Sequence, residues 1–224
     1  MTGFARAAAD PSFGFDCLAP VTRAILQAAK ADPAHPCSWV MRYLDGDSPL
    51  TPAERDLIWS ERMGIVLVSE AYEGGPISPG TLGPYGALCA RLAAALEAPP
   101  TVDIIADLEL AKGRPSDATS QAYADWIAAI MAGENAFVSA VRAAGYDSPH
   151  YQGMPYPLTA DEAYHGLTAT RYVRGAGVPL VECGYAMEQT AINERRWGTL
   201  VDLDVAHADK RGRTITMWWG DGPA

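Results

Sequence analysis

Residues 101–110 read TVDIIADLEL, an apolar run that ends in the carboxylate pair Asp107 and Glu109. Side chains alternate between the two faces of a β-strand. One face is wholly apolar: Val102, Ile104, Ala106 and Leu108. The other face carries the acids: Asp103, Ile105, Asp107 and Glu109. Residues two apart on a strand lie about 6.5 Å apart, and their side chains point the same way. The stretch therefore predicts a buried strand with two carboxylates that point into the same space.

Length and composition indicate one globular domain. The chain has 224 residues, 49% of them hydrophobic, and single barrels of about 200 to 250 residues are ordinary. Pro and Gly are scattered between short periodic segments, so no linker divides the sequence. We therefore expect a single domain over residues 1–224, with its core at about 13–206.

Charge and cysteine usage exclude several functions. A formal net charge of -10 argues against nucleic-acid partners, because no basic run replaces phosphate counterions. No stretch reaches the roughly 18 apolar residues of a membrane span. The four cysteines are far apart, without CxxC or nearby His spacing, and are predicted to be buried thiols: Cys17, Cys37, Cys89 and Cys183. Neither a metal nor a cofactor is predicted.

Strand and helix signals alternate along most of the chain. Eight strands are predicted, at residues 13–17, 38–44, 64–69, 102–108, 150–152, 168–173, within 180–189, and 200–205. Helices are predicted at residues 21–31, 51–62, 82–97, 119–144 and from 159, with Gly133 as a candidate break. Two of these helices begin with capping boxes, Thr51-Pro52-Ala53-Glu54 and Thr159-Ala160-Asp161-Glu162.

Such alternation is typical of parallel strands joined by helices, and eight strands in this length favour a closed α/β barrel, a single (β/α)8 TIM-like domain. The fifth to seventh strands match the pattern least, so the barrel is expected to be irregular there. The alternative is an open doubly wound sheet, but the first βα turn lacks a GxGxxG phosphate loop.

In a barrel, the polar face of each strand looks into the lumen and function lies at the carboxyl ends. The strand pattern adds six polar residues to this presumed lumen: Asp16, Arg42, Glu70, Tyr72, Asp202 and Asp204. A single aspartate at a strand end is more commonly a turn or cap residue, and Arg42 has the alternative role of partner to a core carboxylate. Several strands sending acids to one space nevertheless predict an acidic site.

Several short motifs, in this order and spacing, resemble one family. They are Gly14-Phe15-Asp16, Arg42-Tyr43, Leu50-Thr51 with Glu54, Asp107-Leu108-Glu109, Gln189, and Val201-Asp202-Leu203-Asp204. Between about residues 13 and 206 they resemble the glycoside-hydrolase-like family catalogued as domain of unknown function 1906. That family is similar in turn to glycoside hydrolase family 25, whose lysozymes have a β/α barrel.

The resemblance implies a site and a role for each acid. Glu109 would be the general acid and Asp107 an orienting group, with Asp16 and Asp202 at the floor of a sugar site. The Trp-Gln-Tyr sequence usual before the last strand of these lysozymes reads Met187-Glu188-Gln189-Thr190 here, which keeps only the glutamine. Arg42, Glu70, Tyr72, Gln189 and Asp204 complete the predicted substrate-binding set.

A glycosidase needs a protonated acid at the leaving oxygen and negative charge near the anomeric carbon. Repulsion among the clustered acids would raise at least one pKa. We expect hydrolysis of an N-acetylhexosamine polymer, with peptidoglycan favoured by the resemblance and the substrate's acetamido group as internal nucleophile. A glycan-binding barrel without useful hydrolysis is the alternative, and an acidic metal site for Mg or Ca ranks third.

Delivery and assembly complete the expectations from sequence. Residues 1–11 lack the basic start and apolar run of a classical secretion signal. A protein made in the cytoplasm and acting on the cell wall would therefore reach it by another route. A monomer is favoured over an obligate oligomer.

Overall fold

The structure, a computed structural model, describes residues 3–70, 77–107, 115–153, 158–179 and 181–221. Its strands are β1 Gly3–Ala7, β2 Ser12–Asp16, β3 Cys37–Tyr43, β4 Gly64–Ser69, β5 Ile104–Ala106, β6 His150–Gln152, β7 Tyr172–Arg174, β8 Met187–Arg196, β9 Thr199–Ala206 and β10 Thr216–Gly220. Its helices are α1 Arg23–Ala31, α2 Pro52–Ser60, α3 Pro79–Ala95, α4 Gln121–Ala143 and α5 Ala160–Gly166.

Strands β2 to β9 close into an eight-stranded barrel. Each strand from β2 to β7 pairs in parallel with the next. Strand β9 is antiparallel to both of its neighbours, β8 and β2. The predicted α/β TIM-like barrel is confirmed, and its last strands are irregular as expected. None of the helices in the described ranges is long and apolar enough to cross a membrane.

The alternation of strands and helices ends after β7. Strands β8 and β9 form a hairpin whose register joins Arg196 to Thr199, which leaves Trp197 and Gly198 as a two-residue turn. Both turn residues have positive φ, at 51° and 87°, as a type I′ turn requires. Parallel pairing by helical crossovers was thus the wrong expectation for β9, because this short turn reverses the chain.

The barrel strands divide their side chains between an outer core and a lumen. On β5, Ile104 and Ala106 pack into the outer core under the helices, whereas Ile105 packs into the lumen. The faces predicted for β2 and β9 agree in the same way, since Phe15 and Leu203 belong to the outer core. All four cysteines are buried and free, which confirms the predicted thiols.

A ribbon of β1 and β10, which the strand prediction did not include, covers the amino-terminal end of the barrel. The two strands pair antiparallel over their whole length, and Trp218 of β10 pairs with Ile65 of β4. Ile215 and Met217 are fully buried among the lumen residues. With this end filled by side chains, the free space of the barrel lies at the opposite, carboxyl end.

Side-chain caps begin the helices where the sequence indicates. Thr51 Oγ1 accepts from the backbone N–H of Glu54, and Thr159 and Glu162 make the full reciprocal box. Helix α4 runs unbroken through Gly133, contrary to the candidate break there. A Cβ at this position would lie 2.8 Å from Ile77 Cγ2, so the glycine permits close packing and does not end the helix.

Substitutions at two glycines of α3, Gly83 and Gly86, test how closely α3 packs against α4. A Cβ on Gly86 would lie 2.7 Å from the backbone oxygen of Phe137, whereas one on Gly83 would lie 3.7 Å from the Ala136 Cβ. Alanine favours a helix interior by about 1 kcal/mol over glycine. We therefore expect Gly83→Ala to stabilise by up to about 1 kcal/mol.

Gly86→Ala is expected to destabilise by about 2 kcal/mol through overpacking against the rigid backbone. Urea denaturation followed by circular dichroism measures both changes in the free energy of unfolding. Equal effects of the two substitutions would contradict the close approach of the helices at Gly86.

Candidate active site

An open cavity of about 590 Å³ lies at the carboxyl end of the barrel strands. Its described lining includes five carboxylates, supplied by β2 and β9 and by the segments that follow β4 and β5: Asp16, Glu70, Asp107, Asp202 and Asp204. The cavity is therefore strongly acidic. It has the location at which β/α barrels place their functional groups.

Closure of the barrel brings Asp16 and Asp202 face to face. Asp16 ends β2 and is the direct antiparallel partner of Asp202 on β9. Two positions further along β9, Asp204 is paired with Gly14. Directly opposed residues on antiparallel strands have Cβ atoms about 4.5 to 5.5 Å apart, so these acids form one cluster with strong mutual repulsion.

The side-chain amide of Gln189 bridges the two opposed aspartates. Its Nε2 donates to Asp16 Oδ2 at 3.2 Å and to Asp202 Oδ2 at 3.1 Å. Its Oε1 accepts from the Tyr151 hydroxyl at 2.8 Å, which fixes the orientation of the amide. Tyr43 donates to the other oxygen of Asp16 at 3.4 Å. Gln189 thus holds together two groups whose charges repel.

Burial and repulsion shift the titration of this cluster. Burial, followed by the charge of Asp202, raises the pKa of Asp16 to about 7, although the hydrogen bonds from Gln189 and Tyr43 oppose the shift. Burial also raises the pKa of Asp202, against hydrogen bonds from the Asn193 backbone and Gln189. A carboxyl group with a pKa near 7 keeps a proton available in the range where many enzymes work.

Asp204 is the most deeply buried acid of the cavity. Its residue is fully buried, and neither carboxyl oxygen has a hydrogen-bond partner among the described residues. Burial, and then the charges of Asp16 and Asp202, raises its pKa well above the usual value. An ionised carboxylate without partners is very costly in such surroundings, so burial favours the neutral form of Asp204 at the cavity floor.

The other predicted acids follow β4 and β5. Glu70 and Asp107 both line the cavity, and the backbone N–H of Glu70 donates to Asp45 Oδ1 at 2.8 Å. Tyr85 also donates to Asp45, which joins the end of β4 to helix α3. Glu109 and Tyr72 lie outside the described residues, and their predicted roles stay predictions.

Arg42 does not reach the cavity, which corrects its assignment to the substrate site. The residue is fully buried between β3 and α2, and its Nε donates to Glu54 Oε1 at 2.9 Å. The guanidinium also donates to the backbone oxygens of Cys17 and Ser48. On β3 the lumen face is that of Met41 and Tyr43, so Arg42 points into the outer core as a structural ion pair.

Five polar cavity residues lie outside the predicted site: Tyr43, Tyr151, Asn193, Arg195 and Thr199. The tyrosines had a readable signal, since each alternates with outward-facing neighbours on its strand. Asn193 and Arg195 lie on the part of β8 beyond residue 189, where the sequence analysis predicts no strand. Trp197, at the turn of this hairpin, packs on Phe15 with ring centroids 5.1 Å apart and is a structural residue.

The arrangement of the described side chains also bears on the third alternative, an acidic site for Mg or Ca. Within the described portion of the chain, no group of three or more His, Cys, Asp or Glu side chains is arranged to hold a metal ion. The clustered acids are arranged as one bridged pair, Asp16 and Asp202, above a neutral third acid, Asp204.

Fold and site together define a closed α/β barrel with an acidic mouth. No protein-family model and no curated protein matches the chain. Solved structures do. An uncharacterized protein of B. stearothermophilus is 17% identical with a TM-score of 0.61, covering 87% of this chain and 95% of its own.

Two further solved structures share the fold. A Tat-secreted protein of Mycobacterium tuberculosis in complex with L-tartrate is 15% identical with a TM-score of 0.57, covering 87% of this chain and 94% of its own. The catalytic domain of an endolysin from a bacteriophage of Listeria monocytogenes is 10% identical with a TM-score of 0.52, and the match covers 87% of this chain and 92% of the endolysin domain. At these identities the likeness concerns the fold.

The raised pKa of Asp16 predicts that stability falls as pH rises. Its folded pKa of about 7 lies above the ordinary value of 3.8, so between these values the unfolded chain releases a proton that the folded chain keeps. The Asp16 contribution is complete below pH 3.8 and is lost by the time pH has passed 7. From pH 5 to 8 this loss is on the order of 2 kcal/mol.

Urea denaturation across this pH range tests the prediction. Asp16→Asn, which cannot ionise, should flatten the pH dependence of the free energy of unfolding by about that amount. Asp47→Asn, at an exposed loop position, is the matched control and should keep the parent slope. An Asp16→Asn protein with the parent slope would contradict the assigned titration.

Proposed function

We propose that the chain is a glycoside hydrolase that cleaves an N-acetylhexosamine polymer, with peptidoglycan as the leading substrate. The observation that carries the proposal is the acidic cavity, where burial and repulsion leave Asp16 with a pKa of about 7. Glycosidases depend on clustered carboxyl groups of which one keeps its proton. The fold shared with a phage endolysin catalytic domain supports the same class.

Glu109 acts as the general acid in this proposal. Ile105 and Asp107 line the cavity, and Glu109 follows Asp107 by two residues in sequence, so a period-two pattern predicts the same side for Glu109. Glu109 gives its proton to the leaving oxygen while the bond from that oxygen to the anomeric carbon breaks. The leaving sugar then departs as a neutral alcohol.

The substrate's own acetamido group supplies the nucleophile. Its carbonyl oxygen bonds to the anomeric carbon as the leaving oxygen departs, and Asp107 accepts the acetamido N–H and stabilises the positive charge that develops. Water then attacks the anomeric carbon and gives a proton to the Glu109 carboxylate. This restores both the acetamido group and the protonated acid.

The bridged pair positions the sugar. Asp16 and Asp202 accept hydrogen bonds from sugar hydroxyl groups, and the Gln189 amide keeps the two side chains in place. An uncharged Asp204 adds no negative charge beneath Asp16 and Asp202. Ionisation of the pair therefore costs less free energy than it would beside a third carboxylate. The exposed face of Tyr151 offers a surface against which a sugar ring stacks.

Digestion of purified peptidoglycan tests the proposal. Mass spectrometry of the soluble products should show new reducing ends with the parent protein. Glu109→Gln should lower the rate by about 10² to 10⁴, the usual contribution of a general acid. Glu182→Gln removes an exposed acid outside the cavity lining and should keep the parent rate.

An activated substrate sharpens the assignment of the acid. The nitrophenolate leaving group of an aryl N-acetylglucosaminide needs no proton, so Glu109→Gln should release nitrophenolate in the first turnover at close to the parent rate. Equal rates of parent and Glu109→Gln on the polymer would contradict the mechanism. Binding of the polymer without new reducing ends would select the alternative of an inert glycan-binding barrel.

A further inference from the structure

Arg195 is a cation at the rim of an acidic cavity. It lines the cavity, is exposed to solvent, and forms neither an ion pair nor a hydrogen bond with any described residue. Its neighbour Arg196 is paired with Asp32 at 3.0 Å on the opposite side of the hairpin. An arginine that has no partner among the described residues, in a cavity lined by several carboxylates, is suited to bind an anionic ligand.

The register of the hairpin directs Arg195 toward the cavity. Leu200, Asp202 and Asp204 share the cavity face of β9, and Arg195 is the direct partner of Leu200. Strand β8 has two irregular steps, between Gln189 and Ala191 and between Ala191 and Glu194. Six residues of β8 thus span four of β9, so Gln189 and Arg195 both face the cavity.

Three contacts hold this part of the hairpin in place. The Asn193 N–H donates to Asp202 Oδ1 at 2.6 Å, and Asn193 itself has a φ of 55°. Trp197 Nε1 donates to Asp32 Oδ2 at 3.2 Å while its ring packs on Phe15. The backbone on both sides of Arg195 is therefore anchored to the barrel, which favours a preformed binding position.

The surroundings of Arg195 indicate the chemistry of its ligand. Leu18 and Leu200 line the same cavity and are 60% and 50% exposed. A guanidinium in a cavity that also presents exposed aliphatic side chains suits a carboxylate with a small alkyl group beside it. The acids of the floor would repel such an anion, so its position is at the rim.

We propose that Arg195 binds a carboxylate carried by the glycan substrate, and so makes the site selective for carboxylated N-acetylhexosamine chains over neutral ones. The inference rests on the proposed glycan-binding function and adds the substituent that is recognised. The carboxylate has two sources in peptidoglycan chemistry, an ether-linked lactyl group on the sugar or the peptide attached to it. Leu18 and Leu200 contact the adjacent methyl group in either case.

Equilibrium binding by calorimetry tests the assignment without depending on cleavage. The probes are one lactyl-bearing N-acetylhexosamine tetrasaccharide, the same compound with its carboxylate reduced to the alcohol, its peptide-bearing form, and the neutral N-acetylglucosamine tetramer. The full chain should bind the free acid about tenfold more tightly than the alcohol, the usual scale of one charge-assisted hydrogen bond. If the peptide-bearing form binds more tightly than both the free acid and the alcohol, the carboxylate that Arg195 binds is that of the peptide and not that of the lactyl group.

Variants at the rim identify Arg195 as the residue responsible. Arg195→Ala should weaken binding of the carboxylated ligand about tenfold and that of the alcohol less than twofold, and Arg195→Lys should retain part of the preference. Arg91→Ala removes one exposed charge from α3, away from the cavity lining, and should behave as the parent. Circular dichroism of each variant reports whether the fold is intact.

The outcomes separate this inference from the proposed hydrolysis. Equal binding of the free acid, the alcohol and the peptide-bearing form by the parent, or an unchanged preference in Arg195→Ala, would overturn the role of Arg195 even if the polymer is cleaved. If Arg195→Ala loses the preference for the carboxylated ligand while the parent and Arg91→Ala keep it, the role of Arg195 is supported even if no cleavage is detected. Absence of binding to all four probes would overturn both.

Discussion

The pairing of β9 with β2 is the constraint on which the site depends. It closes the barrel and, by its antiparallel register, sets Asp16 against Asp202 with Asp204 beneath them. Two opposed carboxylates repel, and burial adds to the penalty, so the closure is held by compensating contacts. Gln189 provides them by donating to both groups, although burial and the charge of Asp202 still raise the pKa of Asp16 to about 7.

The same closure gives the β8–β9 hairpin its role. A two-residue turn at Trp197 and Gly198 replaces a helical crossover and lets the hairpin extend along the cavity. Bulges in β8 keep Gln189 at the floor and Arg195 at the rim, both on the cavity side. One element therefore holds the acids of the floor through Gln189 and presents the Arg195 cation at the rim.

Much of this architecture was predictable from local patterns. Period-two alternation identified the strands around Phe15, Ile104 and Leu203 and assigned their faces correctly, because each has one face of large aliphatic or aromatic residues. Hydroxyl caps located α2 and α5. Asp16, Asp202 and Asp204 were brought together as the alternation required, since strand parity alone decides which side chains enter the lumen.

The remainder depended on partners that are distant in sequence. Arg42 sits on an outward face and was misassigned because its partner, Glu54, is recruited from the first turn of α2. The β1–β10 ribbon joins the two ends of the chain, and neither strand alone has a distinctive pattern. Arg195 was missed because β8 continues to Arg196, beyond the strand predicted within residues 180–189, and this extension is paired with β9.

A crystal structure of the Glu109→Gln variant soaked with an N-acetylglucosamine oligomer tests the central claim most directly. The account predicts sugar density in the cavity, with ring hydroxyl groups within hydrogen-bond distance of Asp16 and Asp202 and a glycosidic oxygen within reach of residue 109. An empty cavity at a saturating concentration, or a sugar bound elsewhere on the chain, would contradict it.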